Sequence, residues 1–175
     1  MDDDLRKGLV ATPLFAGLAP DQVDRLGSIG RVEYFAAGAV VLAQGESAPR
    51  LLVLLEGEVD VLRRDAAGVE RAVGTAGPGE MLGEVSLLLD LPRTATVRAR
   101  SDLRCFALNR PAFEAMLEDE DPAALKLGVA IARLLANRLL TLDDRVAELL
   151  SRDGASTTLH QAFTASRQEL FRLWG

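Results

Sequence analysis

The chain has 175 residues, 49% of them hydrophobic, and a formal net charge of −6 at pH 7. This length predicts one domain with appendages. The acidic balance disfavours a nucleic-acid partner, because phosphate contacts need clustered cations. Residues 1–4 are acidic and contain no apolar segment typical of a signal peptide. The most apolar stretch, residues 125–142, is interrupted by charged side chains, so no membrane span is predicted. We therefore expect a cytoplasmic protein without a membrane partner.

Residues 1–30 are predicted to form an N-terminal helical segment. Pro20 and Asp21 are typical of the first turn of a helix, because proline presets the backbone there and its missing N–H is not needed. Val23 and Leu26 follow at helical spacing. We expect helices joined by a turn.

Residues 31–109 have a different pattern, with short apolar or alternating runs between glycine-containing turns. This spacing is typical of an antiparallel barrel or jelly roll. The predicted fold class is mainly β with flanking helices: an antiparallel β-roll, N-terminal helices and a long C-terminal helix. Cys105, the only cysteine, is predicted to be a core thiol. The predicted strands are residues 32–35, 40–43, 51–55, 59–62, 69–73, 96–99 and 103–108.

Residues 79–97 carry the predicted binding chemistry. Gly83 precedes a short helix, expected from Glu84 to about residue 89, whose first N–H groups suit an anion. Pro92 ends this helix, and Arg93 can return to the same anion through two parallel hydrogen bonds. The carboxylate of Glu84 would repel an anion, but it suits a ligand that also offers a hydroxyl. An anion beside a sugar hydroxyl describes a nucleotide.

This stretch resembles the phosphate-binding cassette of cyclic nucleotide-binding domains, the family of the cAMP receptor proteins and cyclic nucleotide-gated channels. The matching runs are Leu-Gly-Glu-Val-Ser-Leu at 82–87 and Pro-Arg-Thr-Ala-Thr-Val at 92–97. Leu82 and Ser86 replace the usual Phe and Ala. The resemblance implies that Glu84 accepts a hydrogen bond from the ribose 2′-OH and that Arg93 binds the cyclic phosphate. The implied cassette residues are Leu82, Gly83, Glu84, Val85, Ser86, Arg93, Thr94 and Ala95.

The resemblance implies cAMP as the ligand, with cGMP close behind, because a hydroxyl at Thr94 can serve the phosphate or a guanine amine. No cofactor or metal site is expected. A metal-dependent jelly-roll enzyme needs several histidine or carboxylate ligands inside the barrel, and the only histidine, His160, lies beyond it. We find no paired nucleophile and base, so no enzyme is predicted.

Residues 110–150 are predicted to form a short helix capped by Asn109 and a long helix capped by Asp121. On the long helix a strict heptad stripe runs from Leu125 to Leu149, which favours self-pairing over a helix that only covers its own domain. A second stripe, Leu127, Ile131 and Leu134, is available to cover the barrel. The expected homodimer contacts are Leu135, Leu139, Leu142 and Val146.

In resembling proteins the long helix lies over the nucleotide, which implies that Asn137 and Arg138 reach the base. Residues 151–175 are predicted to be a polar linker and a short amphipathic tail. Family regulators often continue into a DNA-binding domain, and only 25 residues follow Leu150. We therefore expect no nucleic acid bound by this chain.

The predicted function is a stand-alone cyclic nucleotide sensor that couples binding to movement of the long helix and acts on an unknown effector protein. Two alternatives stay open: a truncated or DNA-binding-domain-less transcription regulator of the cAMP receptor type, and a non-binding interaction or scaffold module.

Overall fold

The computed structural model describes residues 1–47, 49–89 and 91–152, with the side chains of 149–152 excepted. The chain divides into two compact units, Met1–Ile131 and Ala132–Gly175. In chain order the elements are α1 (Asp3–Val10), α2 (Pro20–Ile29), β1 (Arg31–Phe35), β2 (Val40–Leu42), β3 (Arg50–Glu56), β4 (Val59–Arg64), β5 (Glu70–Ala76), β6 (Met81–Leu82), α3 (Glu84–Leu88), β7 (Thr96–Ala99), β8 (Leu103–Asn109), α4 (Arg110–Glu118) and α5 (Pro122–Arg152).

Two four-stranded antiparallel sheets form the first unit. Their strand orders are β1-β8-β3-β6 and β2-β7-β4-β5. The predicted class, mainly β with flanking helices and a long C-terminal helix, is confirmed. Strand β6 was not predicted, because two residues are too short to show a period.

The core joins side chains from both sheets. Leu52 and Leu54 of β3 pack with Val59 of β4, Val97 of β7 and Cys105 of β8. Leu51 and Val53, which alternate with these leucines on β3, are also fully buried, so this strand is covered on both faces. Burial on both faces explains why β3 is a continuous apolar run rather than an alternating one.

Short polar side chains fix where the helices begin, since the first N–H groups of a helix lack intrahelical acceptors. Asn109 Oδ1 accepts a hydrogen bond from Ala112 N at 2.9 Å, and Asp121 Oδ1 accepts one from Ala123 N at 2.8 Å. Both predicted caps are confirmed. Asp121 Oδ2 also accepts a hydrogen bond from Arg25 Nε at 2.9 Å, which ties α2 to the start of α5.

The two stripes of α5 differ in exposure. Leu127 and Ile131 are fully buried within the first unit. Leu139 and Leu142, on the heptad stripe in the second unit, are each 57% exposed. No helix among the described residues is long and apolar enough to cross a bilayer. From residue 153 onward the predicted linker and amphipathic tail lie outside the described residues.

Cys105 gives a pH-dependent test of the core. Its side chain is fully buried and its Sγ lies 3.7 Å from the backbone oxygen of Glu33. Burial, and secondly the Glu33 carboxylate, raises the pKa of the thiol from the ordinary 9.0 to about 11. The folded state therefore holds the proton more tightly, and this contribution to stability is present below pH 9.0 and lost as pH rises towards about 11. We predict that the free energy of unfolding falls more steeply with pH across this window in the wild type than in Cys105→Ala.

Urea denaturation at a series of pH values measures both slopes. The comparison uses slopes because Cys105→Ala also leaves a small cavity. Equal slopes in the two proteins would contradict the predicted burial of the thiol.

Candidate functional site

Arg93 is the central side chain of the predicted cassette. It is only 4% exposed. Its Nη2 donates a hydrogen bond to the backbone oxygen of Arg50 at 2.9 Å, and its Nη1 donates to that of Gly83 at 3.3 Å. The backbone N–H of Arg93 donates a hydrogen bond to Glu46 O at 3.0 Å, and its backbone carbonyl accepts one from Gly45 N at 2.9 Å. Main chain and side chain are thus both fixed, so the plane of the guanidinium is set.

The surroundings of Arg93 shift the pKa of its guanidinium in opposite directions. Burial is the largest cause that lowers its pKa, and the nearby positive charge of Arg50 acts in the same direction. The carboxylates of Glu46 and Glu84 raise the pKa. An arginine stays protonated in proteins, so the site holds a fixed, largely desolvated cation. Such a cation favours an anionic ligand.

Gly83 makes this arrangement possible. It has a left-handed backbone, with φ 80° and ψ 13°, and it precedes α3 as predicted. A Cβ added there would lie 2.3 Å from Arg93 Nη1 and 2.5 Å from the backbone oxygen of Arg50. The oxygen of Gly83 also accepts a hydrogen bond from Leu87 N at 3.1 Å. Glycine is therefore required here both by conformation and by space.

The first turn of α3 lies beside this arginine. Glu84 and Ser86 are buried, and Leu82 and Val85 are half-buried. Helix α3 packs on β3, the strand that begins at Arg50. The structure thus brings Gly83, Glu84 and Arg93 together as predicted. The other two predicted cassette residues follow Arg93 directly: Thr94 is exposed and Ala95 is half-buried.

The loop around Gln44 lies against the cassette. Gln44 N donates to Thr96 Oγ1 at 3.1 Å. The Gln44 side chain accepts a hydrogen bond from Arg64 N at 2.7 Å and donates one to Arg64 O at 3.3 Å. It thus binds both main-chain groups of Arg64 at the end of β4. A cavity of about 470 Å³ is lined by Ala43, Gln44, Gly45, Arg64 and Thr96. This volume is in the range of small-ligand pockets, which are typically about 300–1,000 Å³.

Two further predicted site residues belong to the second unit. Asn137 and Arg138 are exposed on α5 and share one helix face with Leu134, Thr141 and Arg145. Thr141 Oγ1 donates to Asn137 O at 3.0 Å. Contact between this face and a nucleotide base stays a prediction. Within the described part of the chain, no group of three or more His, Cys, Asp or Glu side chains is placed to hold a metal ion.

Comparison with known proteins gives a consistent result. Residues 32–120 match the sequence model of the cyclic nucleotide-binding domain. The chain is 34% identical over 132 residues to the cyclic AMP receptor protein of Thermus thermophilus, covering 75% of this chain and 61% of that relative.

Solved structures agree with the sequence match. The crystal structure of Thermus thermophilus catabolite activator protein has a TM-score of 0.70 at 34% identity, covering 80% of this chain and 63% of that one. The N-terminal domain of a Streptomyces coelicolor transcriptional regulator has a TM-score of 0.64 at 33% identity, covering 78% and 95%. The chain therefore spans less than two thirds of the Thermus thermophilus sequence and of the Thermus thermophilus structure, and nearly all of the Streptomyces coelicolor domain.

The stability cost of adding a side chain at Gly83 has two parts, the close contact and the left-handed backbone. A comparison with Gly45 separates them. Gly45 has a similar left-handed backbone, with φ 85°, but an added Cβ meets no atom within 4 Å. We predict that Gly45→Ala lowers the free energy of unfolding by roughly 1–2 kcal/mol, the cost of the left-handed conformation. Gly83→Ala should lower it by roughly 1–3 kcal/mol more, because the methyl overlaps Arg93 and the Arg50 carbonyl. Urea denaturation measures both variants, and equal losses would contradict the proposed contact.

Proposed function

This chain belongs to the cyclic nucleotide-binding domain family, and we propose that it is a regulatory sensor that binds cAMP at residues 82–97. The observation that carries the proposal is the buried guanidinium of Arg93, held at Gly83 beside the carboxylate of Glu84. The proposal assigns binding and regulation, not catalysis.

The geometry supports a cyclic phosphate as the anion. The Arg93 guanidinium has a fixed plane, and a planar fork of donors is suited to phosphate oxygens. The N–H groups of Val85 and Ser86, in the first turn of α3, lack intrahelical acceptors and can add hydrogen bonds. The carboxylate of Glu84 would repel a simple phosphate ion. A ribose 2′-OH beside the phosphate turns that carboxylate into a hydrogen-bond acceptor.

The choice of base rests on a named relative and on Thr94. The Thermus thermophilus relative is named as a cyclic AMP receptor protein, which favours cAMP. The exposed hydroxyl of Thr94 can serve the phosphate of either nucleotide or the amine of guanine, so cGMP is the second candidate ligand. We propose Asn137 and Arg138 as the residues that contact the base.

The output of the sensor is proposed to pass through α5. Two heptad leucines, Leu139 and Leu142, are exposed, and an exposed apolar seam with a 3.5-residue period favours a homodimer. We propose that Leu135 and Val146 complete this seam. A ligand shifts a conformational equilibrium only if it binds the two conformations with different affinity. A helix that contacts the base in only one conformation would supply that difference in affinity.

A second candidate function is the sensory part of a transcription regulator. The observation that favours it is the match to the N-terminal domain of the Streptomyces coelicolor transcriptional regulator. A cAMP-dependent shift of genomic DNA in a gel-shift assay would favour a transcription regulator over a sensor without DNA binding. The effector protein of a sensor without DNA binding stays unassigned.

Arg93→Ala tests the phosphate assignment. Removing one partner of a buried, hydrogen-bonded charge pair costs roughly 2–5 kcal/mol. We therefore predict that cAMP binding weakens by about thirtyfold to several thousandfold, measured by isothermal titration calorimetry. Arg71→Ala is the matched control: Arg71 is an exposed arginine of β5 that pairs with Asp65 at 3.2 Å, and its loss should leave affinity unchanged.

A ligand analogue makes the same test sharper. Glu84→Gln should weaken cAMP binding but leave binding of 2′-deoxy-cAMP unchanged, since the proposed hydroxyl partner is missing from that ligand. A loss of tenfold or less for Arg93→Ala, or equal losses for both ligands in Glu84→Gln, would place the nucleotide elsewhere.

Leu139→Asp tests the dimer and its coupling to the site. Leu140 is the control, because it is similarly exposed, at 62% against 57% for Leu139, but lies off the heptad stripe. We predict that Leu139→Asp gives a monomer by light scattering whose cAMP affinity changes by about 5- to 150-fold, the usual range of coupling between sites. Leu140→Asp should stay dimeric with unchanged affinity. A wild-type monomer at high micromolar concentration would contradict the dimer, and an unchanged affinity in monomeric Leu139→Asp would contradict the coupling.

A further inference from the structure

Arg50 is joined to the cassette through its backbone. Its carbonyl accepts the hydrogen bond from Arg93 Nη2 at 2.9 Å. The same oxygen lies so close to Gly83 that an added Cβ would come within 2.5 Å of it. One main-chain oxygen thus packs against the glycine and helps to set the direction of the guanidinium.

The side chain of Arg50 is itself held from two directions. Its Nη1 donates to both carboxylate oxygens of Glu33, at 3.1 and 2.8 Å, and its Nη2 donates to Val41 O at 3.0 Å. Glu33 is on β1 in one sheet and Val41 is on β2 in the other. The Arg50 and Glu33 side chains are only 24% and 14% exposed. Arg50 therefore joins the two sheets at the start of β3.

The Arg50–Glu33 pair borders a separate cavity. This cavity, of about 170 Å³, contains no residue of the cassette. This placement argues against a direct contact between the Arg50 side chain and a nucleotide bound at residues 82–97. Its lining residues are Ile29, Gly30, Arg31, Glu33, Arg50, Ala107 and Asn109.

We propose that Arg50 is a positioning residue for Arg93, with Glu33 holding Arg50 in place. The anchored side chain fixes the start of β3, the fixed carbonyl directs the Arg93 guanidinium, and a preoriented guanidinium loses less entropy when it binds phosphate. This inference rests on the proposed function, in which Arg93 binds the cyclic phosphate. It adds a neighbouring pair of side chains, Arg50 and Glu33, that sets affinity without contacting the ligand.

A double-mutant cycle tests the proposal with cAMP as the probe. Arg50→Met removes the hydrogen bonds while keeping an apolar stem, and we expect cAMP binding to weaken about tenfold, equivalent to about 1.4 kcal/mol. In an Arg93→Lys background, where the planar fork is gone, the same change should weaken binding less than twofold, because residues that act through one another are not additive. A tenfold loss in both backgrounds would show that Arg50 acts on the ligand independently of Arg93. No loss in the wild-type background would overturn the proposal outright.

Arg31→Met is the matched control. Arg31 Nε donates to the same carboxylate, at 2.8 Å from Glu33 Oε1, but its side chain is 73% exposed, and we expect its loss to leave cAMP affinity within twofold. Arg50→Lys, which keeps the charge but not the fork, should recover part of the affinity. Circular dichroism melts identify a variant that fails to fold. If Arg50→Met does not fold, Glu33→Gln replaces it in the double-mutant cycle. We expect Glu33→Gln to weaken cAMP binding in the wild-type background and not in the Arg93→Lys background.

A readout without ligand separates this inference from the proposed function. In spectra of protein labelled with ¹⁵N-arginine, a guanidinium held at two carbonyls rotates slowly and gives resolved Nη signals. We expect such signals for Arg93, identified by their absence in Arg93→Lys, in the wild type and in Arg31→Met but not in Arg50→Met. Persistence of the signals in Arg50→Met would refute positioning even if cAMP binds. If Arg93→Lys leaves cAMP affinity unchanged while the signals behave as expected, the phosphate assignment fails and the positioning role stands.

Discussion

The site depends on the burial of one charged group, the guanidinium of Arg93, against two backbone carbonyls. A buried charge is costly unless its hydrogen-bonding groups are satisfied. The carbonyls of Gly83 and Arg50 each accept one hydrogen bond from the guanidinium at fixed positions, and the carboxylates of Glu46 and Glu84 favour the charged form. The result is a cation that is oriented before any ligand arrives. Preorientation of this kind raises affinity because little ordering is left to be done on binding.

The fold supplies these two carbonyls from distant parts of the chain. Gly83 stands between the short strand β6 and helix α3, and β6 pairs with β3, whose first residue is Arg50. The pairing of β3 and β6 thus brings Gly83 next to Arg50, while the left-handed backbone of Gly83 leaves no side chain between them. The β-roll is therefore the frame that holds these two carbonyl oxygens against one guanidinium.

Much of this was predictable from local sequence. Asn109 and Asp121 cap their helices through chemistry that depends only on the next few residues, and Gly83 and Arg93 stand in one short motif. Arg50 was missed for a physical reason: it lies 43 residues from Arg93 and contacts it through a main-chain oxygen, which has no residue-type signature. The sequence also showed two apolar stripes on α5. Only the structure shows that Leu127 and Ile131 are the buried pair, because that choice depends on long-range packing.

A crystal structure of the domain with cAMP tests the central claim most directly. The account predicts phosphate oxygens about 2.7–2.9 Å from the Arg93 guanidinium, the usual length of a charge-assisted hydrogen bond, with the Arg50 carbonyl still bonded to Nη2 and the ribose 2′-OH on Glu84. A nucleotide bound with its phosphate away from Arg93, or an Arg93 side chain that leaves the Arg50 carbonyl to reach the ligand, would contradict it.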